Sequence, residues 1–241
     1  MSGTTPSGAH TEQEASAWVR GMFGRIAPRY DLVNHVLSFN IDRRWRRLAV
    51  RKVRHILDRP DACVLDICCG TGDLLLALQQ GGRAATYGSD FCHPMLLAAK
   101  EKSTRTPLFE SDAMQLPLRD GSLDLITVAF GFRNLTNYEA GLQEMRRVLR
   151  PGGVAAILEF SQPPNRAFAA VNALYCRTIL PMIGGFLTGS RDAYTYLPES
   201  IHKFPNAPRL AEMMRAAGFE SAGFEYLTGG SVALHIGTRY Q

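Results

Sequence analysis

No C-x-x-C pair occurs in this chain, and its five cysteines (Cys63, Cys68, Cys69, Cys92 and Cys176) are odd in number. Both facts argue against a disulfide framework or a zinc site and for a reducing compartment. A membrane span is also missing. The most apolar stretch, AFAAVNALYCRTILPMIGGFLTG, is broken by Arg177, Pro181 and Gly184-Gly185. Its uncharged part from Thr178 to Ser190 is shorter than the roughly 18 residues a span requires. Residues 1–14 are polar and lack an apolar signal core, so no export signal is expected and residues 1–15 read as a disordered lead. No internal repeat is visible. The net charge of +5 is compatible with nucleic acid, an anionic membrane surface or simply a soluble basic protein, and charge alone does not choose.

What the chain does have is a full apolar complement, 46% of 241 residues, enough for one α/β domain with added segments over 16–241. Its organising stretch is ACVLDICCGTGD, Ala62 to Asp73. Cys63–Ile67 is a short apolar run with Asp66 inside it, which suits a buried parallel strand. Gly70 and Gly72 flank Thr71 and let backbone approach a ligand closely before Leu74–Leu78 open a helix. Such a turn usually suggests a dinucleotide site. Here the third glycine is replaced by Leu75, and Asp66 and Asp73 stand on both sides of the loop. A carboxylate 4 Å from a phosphate charge is repelled by roughly 4 kcal/mol at an effective dielectric near 20. The same groups attract a cation. S-adenosylmethionine, with a sulfonium, an ammonium and no phosphate, fits; the alternative is a purely structural turn.

Strands and helices alternate from there. A second strand, Ala84–Gly88, leads to Asp90, about 20 positions past the glycines, where a ribose diol is gripped in nucleotide-binding units; an N-cap for the helix after it is the competing role. Leu108–Ser111 is a weak third strand. Asp112 and Ala113 follow it, where Asp112 either accepts from an adenine amine or is a surface aspartate. Leu123–Phe130 is the fourth strand and leads into GFRN. Arg133 and Asn134 are then expected at the crevice beyond the strand ends, or as caps of the helix near Asn137. A helix over Tyr138–Leu149 stops at Pro151-Gly152-Gly153, and Val154–Phe160 makes a fifth strand. Phe219–Leu227 and Ser231–Thr238 read as a hairpin turning on Thr228-Gly229-Gly230. The rhythm predicts a doubly wound, mostly parallel sheet of seven strands.

Two segments depart from a plain sheet domain. Ser16–Leu57 is helical in spacing, broken once by Pro28. Its part RRWRRLAVRKVRHIL either lies against anionic lipid or packs its apolar side on the sheet. Residues 161–205 are too apolar for a connection and read as a helical lid over an apolar pocket, with Tyr194, Tyr196, Glu199 and His202 near its closing end, or as a cover for one sheet face.

With APRYDLVN (Ala27–Asn34), the DICCGTGD loop, AFGFRN (Ala129–Asn134), RVLRPGG (Arg147–Gly153), LEFSQP (Leu158–Pro163), SRDAYTYLPESIHKFP and LTGGSVALHIG in order, the chain resembles the quinone-biosynthesis C-methyltransferases. These are the demethylmenaquinone and 2-methoxy-6-polyprenyl-1,4-benzoquinol methyltransferases. The resemblance runs from about Phe23 to Arg239. It implies the Rossmann-like class I methyltransferase fold with N-terminal helices and S-adenosyl-L-methionine as methyl donor. It also implies a reduced prenylated quinol as acceptor, demethylmenaquinol first and a benzoquinol second, and no metal. Thr71, Asp90, Asp112 and Ala113 fall on cofactor positions, joined by Asp66, Gly70 and Gly72 from the loop reading. Arg133 is expected to steady the quinol oxygen, with Asn134 and Tyr30 orienting it. Arginine, with a pKa above about 12, is a poor free base, so His202, Asp31 or a water are the candidates for the proton. Two departures stand out: many members carry Ala-Gly at Cys68-Cys69 and serine at Ala129. A non-catalytic member of a quinone-synthesis assembly is the competing class. A nucleic-acid methyltransferase is disfavoured because neither an N-P-P-Y or D-P-P-Y signature nor a Pro-Cys nucleophile is found. The expected setting is the cytoplasm, with peripheral contact at the inner membrane face and a homodimer both left open.

Overall fold

Four helices precede the sheet in the computed structural model, which describes residues 3–6, 8–102, 106–179 and 191–240. They are α1 (Glu12–Ile26), α2 (Tyr30–Leu37), α3 (Ile41–Lys52) and the single turn α4 (Arg54–Leu57). Pro28 sits in a 3-10 turn, Ala27–Arg29, between the first two. Then come β1 (Cys63–Ile67), α5 (Asp73–Gly81), β2 (Ala85–Asp90), α6 (His93–Lys102), β3 (Leu108–Glu110), β4 (Leu123–Ala129), α7 (Tyr138–Val148) and β5 (Leu149–Phe160). The remainder is α8 (Arg166–Leu174), α9 (Arg191–Lys203), α10 (Ala207–Ala216), β6 (Gly223–Leu227) and β7 (Val232–Thr238).

The strands order as β3-β2-β1-β4-β5-β7-β6. All neighbours are parallel except β7, which runs antiparallel to β5 and to β6. This is the expected doubly wound, seven-stranded sheet. Its central strands β1, β4 and β5 read as apolar runs, each with one acid inside, because both their faces are covered. Leu65 and Ile67 of β1, Ile126 and Val128 of β4 and Ala155 and Ile157 of β5 pack on one side with Leu142 and Met145 of α7 and Met214 of α10. Val64, Leu125 and Ala156 face the other side, against Val50, Val53 and Leu57 of the N-terminal helices and Leu74 and Leu78 of α5. The basic stretch thus turns its apolar side to the sheet and leaves Arg43, Arg44, Arg47 and Arg51 exposed.

Three expectations shift. Strand β5 starts at Leu149, not Val154, because Leu149 already pairs with Leu123 of β4 before Pro151-Gly152-Gly153, with Gly152 at φ 78°, bulges out and shifts the register to Leu125 opposite Val154. Strand β6 starts at Gly223; Phe219, fully buried, makes only an isolated bridge to Arg239. The described part of the segment expected as a disordered lead is held in place. Thr4 is 2% exposed, its N–H donates to the Leu135 carbonyl at 2.8 Å, and its hydroxyl pairs with that of Tyr196 at 2.7 Å. Helix α1 then opens with a capping box of Thr11 and Glu14. Polar composition concealed this, since the anchoring falls to hydrogen bonds and to the small buried side chains Pro6 and Ala15. Of the apolar stretch in the expected lid, residues 180–190 lie outside the described residues.

Candidate active site

The C-terminal ends of β1, β2 and β4 converge on the glycine loop, as an open α/β sheet requires of a ligand crevice. Gly70 and Gly72 both take positive φ, 55° and 84°, and Cys69 N–H is tied to the Ser89 carbonyl at 2.9 Å. The loop therefore wraps the end of β2. Asp90 accepts from Gly70 N–H at 2.8 Å and from Cys92 N–H at 2.9 Å, so it fixes the loop; it does not cap α6, whose first N–H bonds go to the Cys92 carbonyl. Asp66, fully buried, accepts from the Thr127 hydroxyl at 2.6 Å.

A cavity opens here, bringing together Asp66, Gly70, Thr71, Asp90, Asp112 and Ala113. Asp112 is exposed at its rim, its carboxylate accepting from Met114 N–H at 2.8 Å. Gly72 is the exception among the expected cofactor residues. It lies off the cavity wall, in a left-handed cap of α5 where an added Cβ would meet Ala99 at 3.2 Å; its part is to shape the turn. Asp73, read from the sequence as one of the two carboxylates beside the loop, is paired with Lys102 at 2.6 Å and stands 3.6 Å from Arg46. Phe91 and Met114 also line this cavity. The sequence reading missed both, although an aromatic directly after the β2 aspartate is a readable sign of a flat ligand.

A second, apolar cavity adjoins the first, and Phe23, Tyr30, Arg46 and Phe130 line both. Its walls include Trp45 of α3, Phe160 of β5, Phe168 and Val171 of α8, and Tyr196 and Ile201 of α9. The described part of the segment read as a lid or a cover thus forms one side of this chamber. Arg133 and Asn134 occupy a 3-10 turn, Phe132–Asn134. They do not cap α7, because Asn137 does so with its own side chain. The structure separates the two. Arg133 lines the apolar cavity, whereas Asn134 lines the acidic one and accepts from the Tyr196 hydroxyl at 3.1 Å.

Arg133 is 5% exposed and lies over the Phe160 ring, 5.3 Å from its centroid. Glu159, also buried, takes its Nη1–H at 3.1 Å and its backbone N–H at 3.1 Å. Phe130 O accepts from the same Nη1, while Nε–H has no partner among the described residues. Burial raises the Glu159 carboxyl and Arg133 opposes that rise. Sequence reasoning passed over Glu159, yet an acid inside an otherwise apolar strand is the same signal that Asp66 gave. Burial raises Tyr30, with Arg133, Asn34 and Arg46 opposing. Of the proton acceptors considered, His202 is exposed and lines neither cavity, and Asp31 is bound to Lys102 and Thr71, each at 2.5 Å.

The donor set fits a cation. Burial raises Asp66 to about 7, opposed by the Thr127 hydrogen bond, and Asp90 to about 6, opposed by the N–H groups of Cys92 and Gly70. An acid raised in the folded chain stabilises it while protonated. That contribution is complete below the ordinary value of 3.8 and is lost as pH climbs through about 6 and about 7. A bound cation favours the ionised carboxylates and reverses the penalty. S-adenosylmethionine is therefore expected to bind more tightly as pH rises from about 5.5 to about 7, while the ligand-free chain melts at a lower temperature over the same range. Calorimetric titrations and thermal melts at fixed ionic strength check this; a flat binding profile would mean that neither acid faces the donor.

Comparison with known proteins agrees with this geometry. A model of the ubiE/COQ5 methyltransferase family matches residues 10–239. The demethylmenaquinone methyltransferase of Thermus thermophilus is 47% identical over 223 residues, covering 90% of this chain and 100% of that protein. The protein of the same name in Deinococcus radiodurans is 44% identical over 233 residues, covering 95% of each. A crystal structure of a SAM-dependent methyltransferase from Thermotoga maritima superposes with a TM-score of 0.62 at 18% identity, covering 91% of this chain and 99% of that one, which speaks for the fold.

Proposed function

As the chain belongs to the ubiE/COQ5 methyltransferase family and is an S-adenosylmethionine-dependent C-methyltransferase, we propose that its acceptor is demethylmenaquinol, methylated at a ring carbon in menaquinone synthesis. The observation that carries the proposal is the shared wall: an acid-lined cavity for the donor opens beside a large apolar one, and Arg133 stands in the latter.

S-adenosylmethionine, when bound, supplies a methyl group on a positively charged sulfur. The chain's own residues do the rest. Asp66, Asp90 and Asp112 offer carboxylates to its ammonium, ribose hydroxyls and adenine amine, and Thr71 and Ala113 border the same space. Phe130, Trp45, Phe160 and Phe168 offer apolar walls to a fused ring, and the lower dielectric beside them strengthens electrostatic contacts. Arg133, anchored from behind by Glu159, stabilises the quinol oxygen as it ionises, so that the neighbouring carbon becomes nucleophilic. Tyr30 orients that oxygen from the shared wall, and Asn134 fixes the partition with Tyr196. With His202 exposed outside both cavities and Asp31 bound to Lys102 and Thr71, water in the chamber takes the quinol proton. Positioning carbon and methyl at about 3 to 3.5 Å supplies the remaining acceleration.

A long prenyl tail has to leave a bilayer to enter. Leu32, Val36 and Phe39 are exposed on and after α2, beside exposed Arg43, Arg44 and Arg47. That combination suits contact with an anionic membrane surface, and no helix among the described residues is long and apolar enough to cross one. Incubation with methyl-labelled S-adenosylmethionine and each reduced quinone tests the proposal. Label is expected in the demethylmenaquinol product. Transfer to a benzoquinol alone would move the chain to the ubiquinone branch, and transfer to neither would leave it without a catalytic role.

A further inference from the structure

The donor also carries a carboxylate, and nothing above accounts for it. Four aspartates line the cofactor cavity, Asp66, Asp73, Asp90 and Asp112, and among the described residues lining it the cation is Arg46. An anionic group entering so acidic a space needs that guanidinium. Arg46 reaches it from α3, on the glycine-loop side of the cavity, where its Nη2 lies 3.6 Å from Asp73 at the start of α5. Asp112 and Met114, which border the adenine space, stand beyond β3.

The side chain is held but not saturated. Its Nη1 is committed to Asp42, which Ser38 and His35 hold in turn at 2.6 and 2.9 Å. The guanidinium carbon lies 5.6 Å from the Phe130 ring centroid. Nε–H is buried without a partner among the described residues, and Nη2 at 3.6 Å from Asp73 is beyond hydrogen-bonding distance. Nε and Nη2 form the side edge of the guanidinium fork, the edge that grips a carboxylate through two parallel hydrogen bonds. We infer that Arg46 binds the methionine carboxylate of S-adenosylmethionine through this edge, making it a cofactor-binding residue that also lines the acceptor cavity. The inference rests on the donor assignment above.

Calorimetry on the full chain with S-adenosylmethionine and with decarboxylated S-adenosylmethionine, which lacks only that group, tests it. The unaltered protein is expected to prefer the carboxylated donor by about 10- to 100-fold, the range of a charge-assisted pair. Arg46→Gln is expected to abolish or reverse the preference by weakening S-adenosylmethionine alone, and Arg46→Lys to keep part of it. Equal affinity of the unaltered protein for both ligands would overturn the inference. So would equal weakening of both in Arg46→Gln, the signature of a merely structural role through Asp42. Failure of the unaltered protein to bind S-adenosylmethionine at all would overturn the donor assignment itself.

Discussion

Arg133→Ala is expected to lower kcat about 10²- to 10³-fold, the range for losing one preorganised donor to a developing oxyanion, while the dissociation constant of S-adenosylmethionine stays within about threefold. The split follows from where the side chain lies: Arg133 lines the apolar cavity and not the acidic one. The substitution also strands Glu159, which is 1% exposed and keeps only backbone donors once the guanidinium is gone. An unpaired buried charge costs about 3 to 5 kcal/mol, so a loss of folding could imitate a loss of chemistry. Arg133→Ala combined with Glu159→Gln removes that charge and separates the two. If thermal stability returns but turnover does not, Arg133 acts on the acceptor. Turnover restored in the double variant, or equal losses in kcat and donor affinity, would contradict the role.

Arg133 also shows what a sequence can and cannot say. The run Leu123–Phe130 followed by GFRN predicts a buried strand with a polar turn at its end, and the turn is there. That the turn sends one side chain into each of two cavities depends on Glu159 and Tyr196, 26 and 62 residues away. No local pattern encodes those partners. Asp66, Gly70, Thr71 and Asp90 were legible because one strand-turn-helix unit and the next strand bring them together over a short span. The ion pairs of Asp73 were not legible because its partners, Lys102 and Arg46, lie on separate helices. Thr4 was missed because hydrogen bonds to Leu135 and Tyr196 leave no periodicity to find. The sheet was the easier inference. Its central strands are covered on both faces, so they appear as mostly apolar runs, and that signal needs no knowledge of distant neighbours.

Asp90→Ala is expected to weaken S-adenosylmethionine about 100-fold, and more than it slows turnover at saturating donor. Two losses combine. The carboxylate is proposed to hold the ribose hydroxyls, and it also accepts from Gly70 N–H and Cys92 N–H. Hydrogen bonds to a charged group contribute roughly 1.5 to 3 kcal/mol each, so removing the backbone pair alone would let the loop relax from its left-handed turn at Gly70. Asp90→Asn should be no milder. Each carboxylate oxygen accepts from one of those N–H groups, so an amide must aim its NH₂ at one of the two donors. Asp112→Ala gives the contrast. Asp112 is exposed and its carboxylate accepts only from Met114 N–H among the described backbone, so its loss should weaken the donor by less than tenfold. Calorimetric dissociation constants for the three variants decide the matter, and an unchanged constant in Asp90→Ala would remove Asp90 from the site.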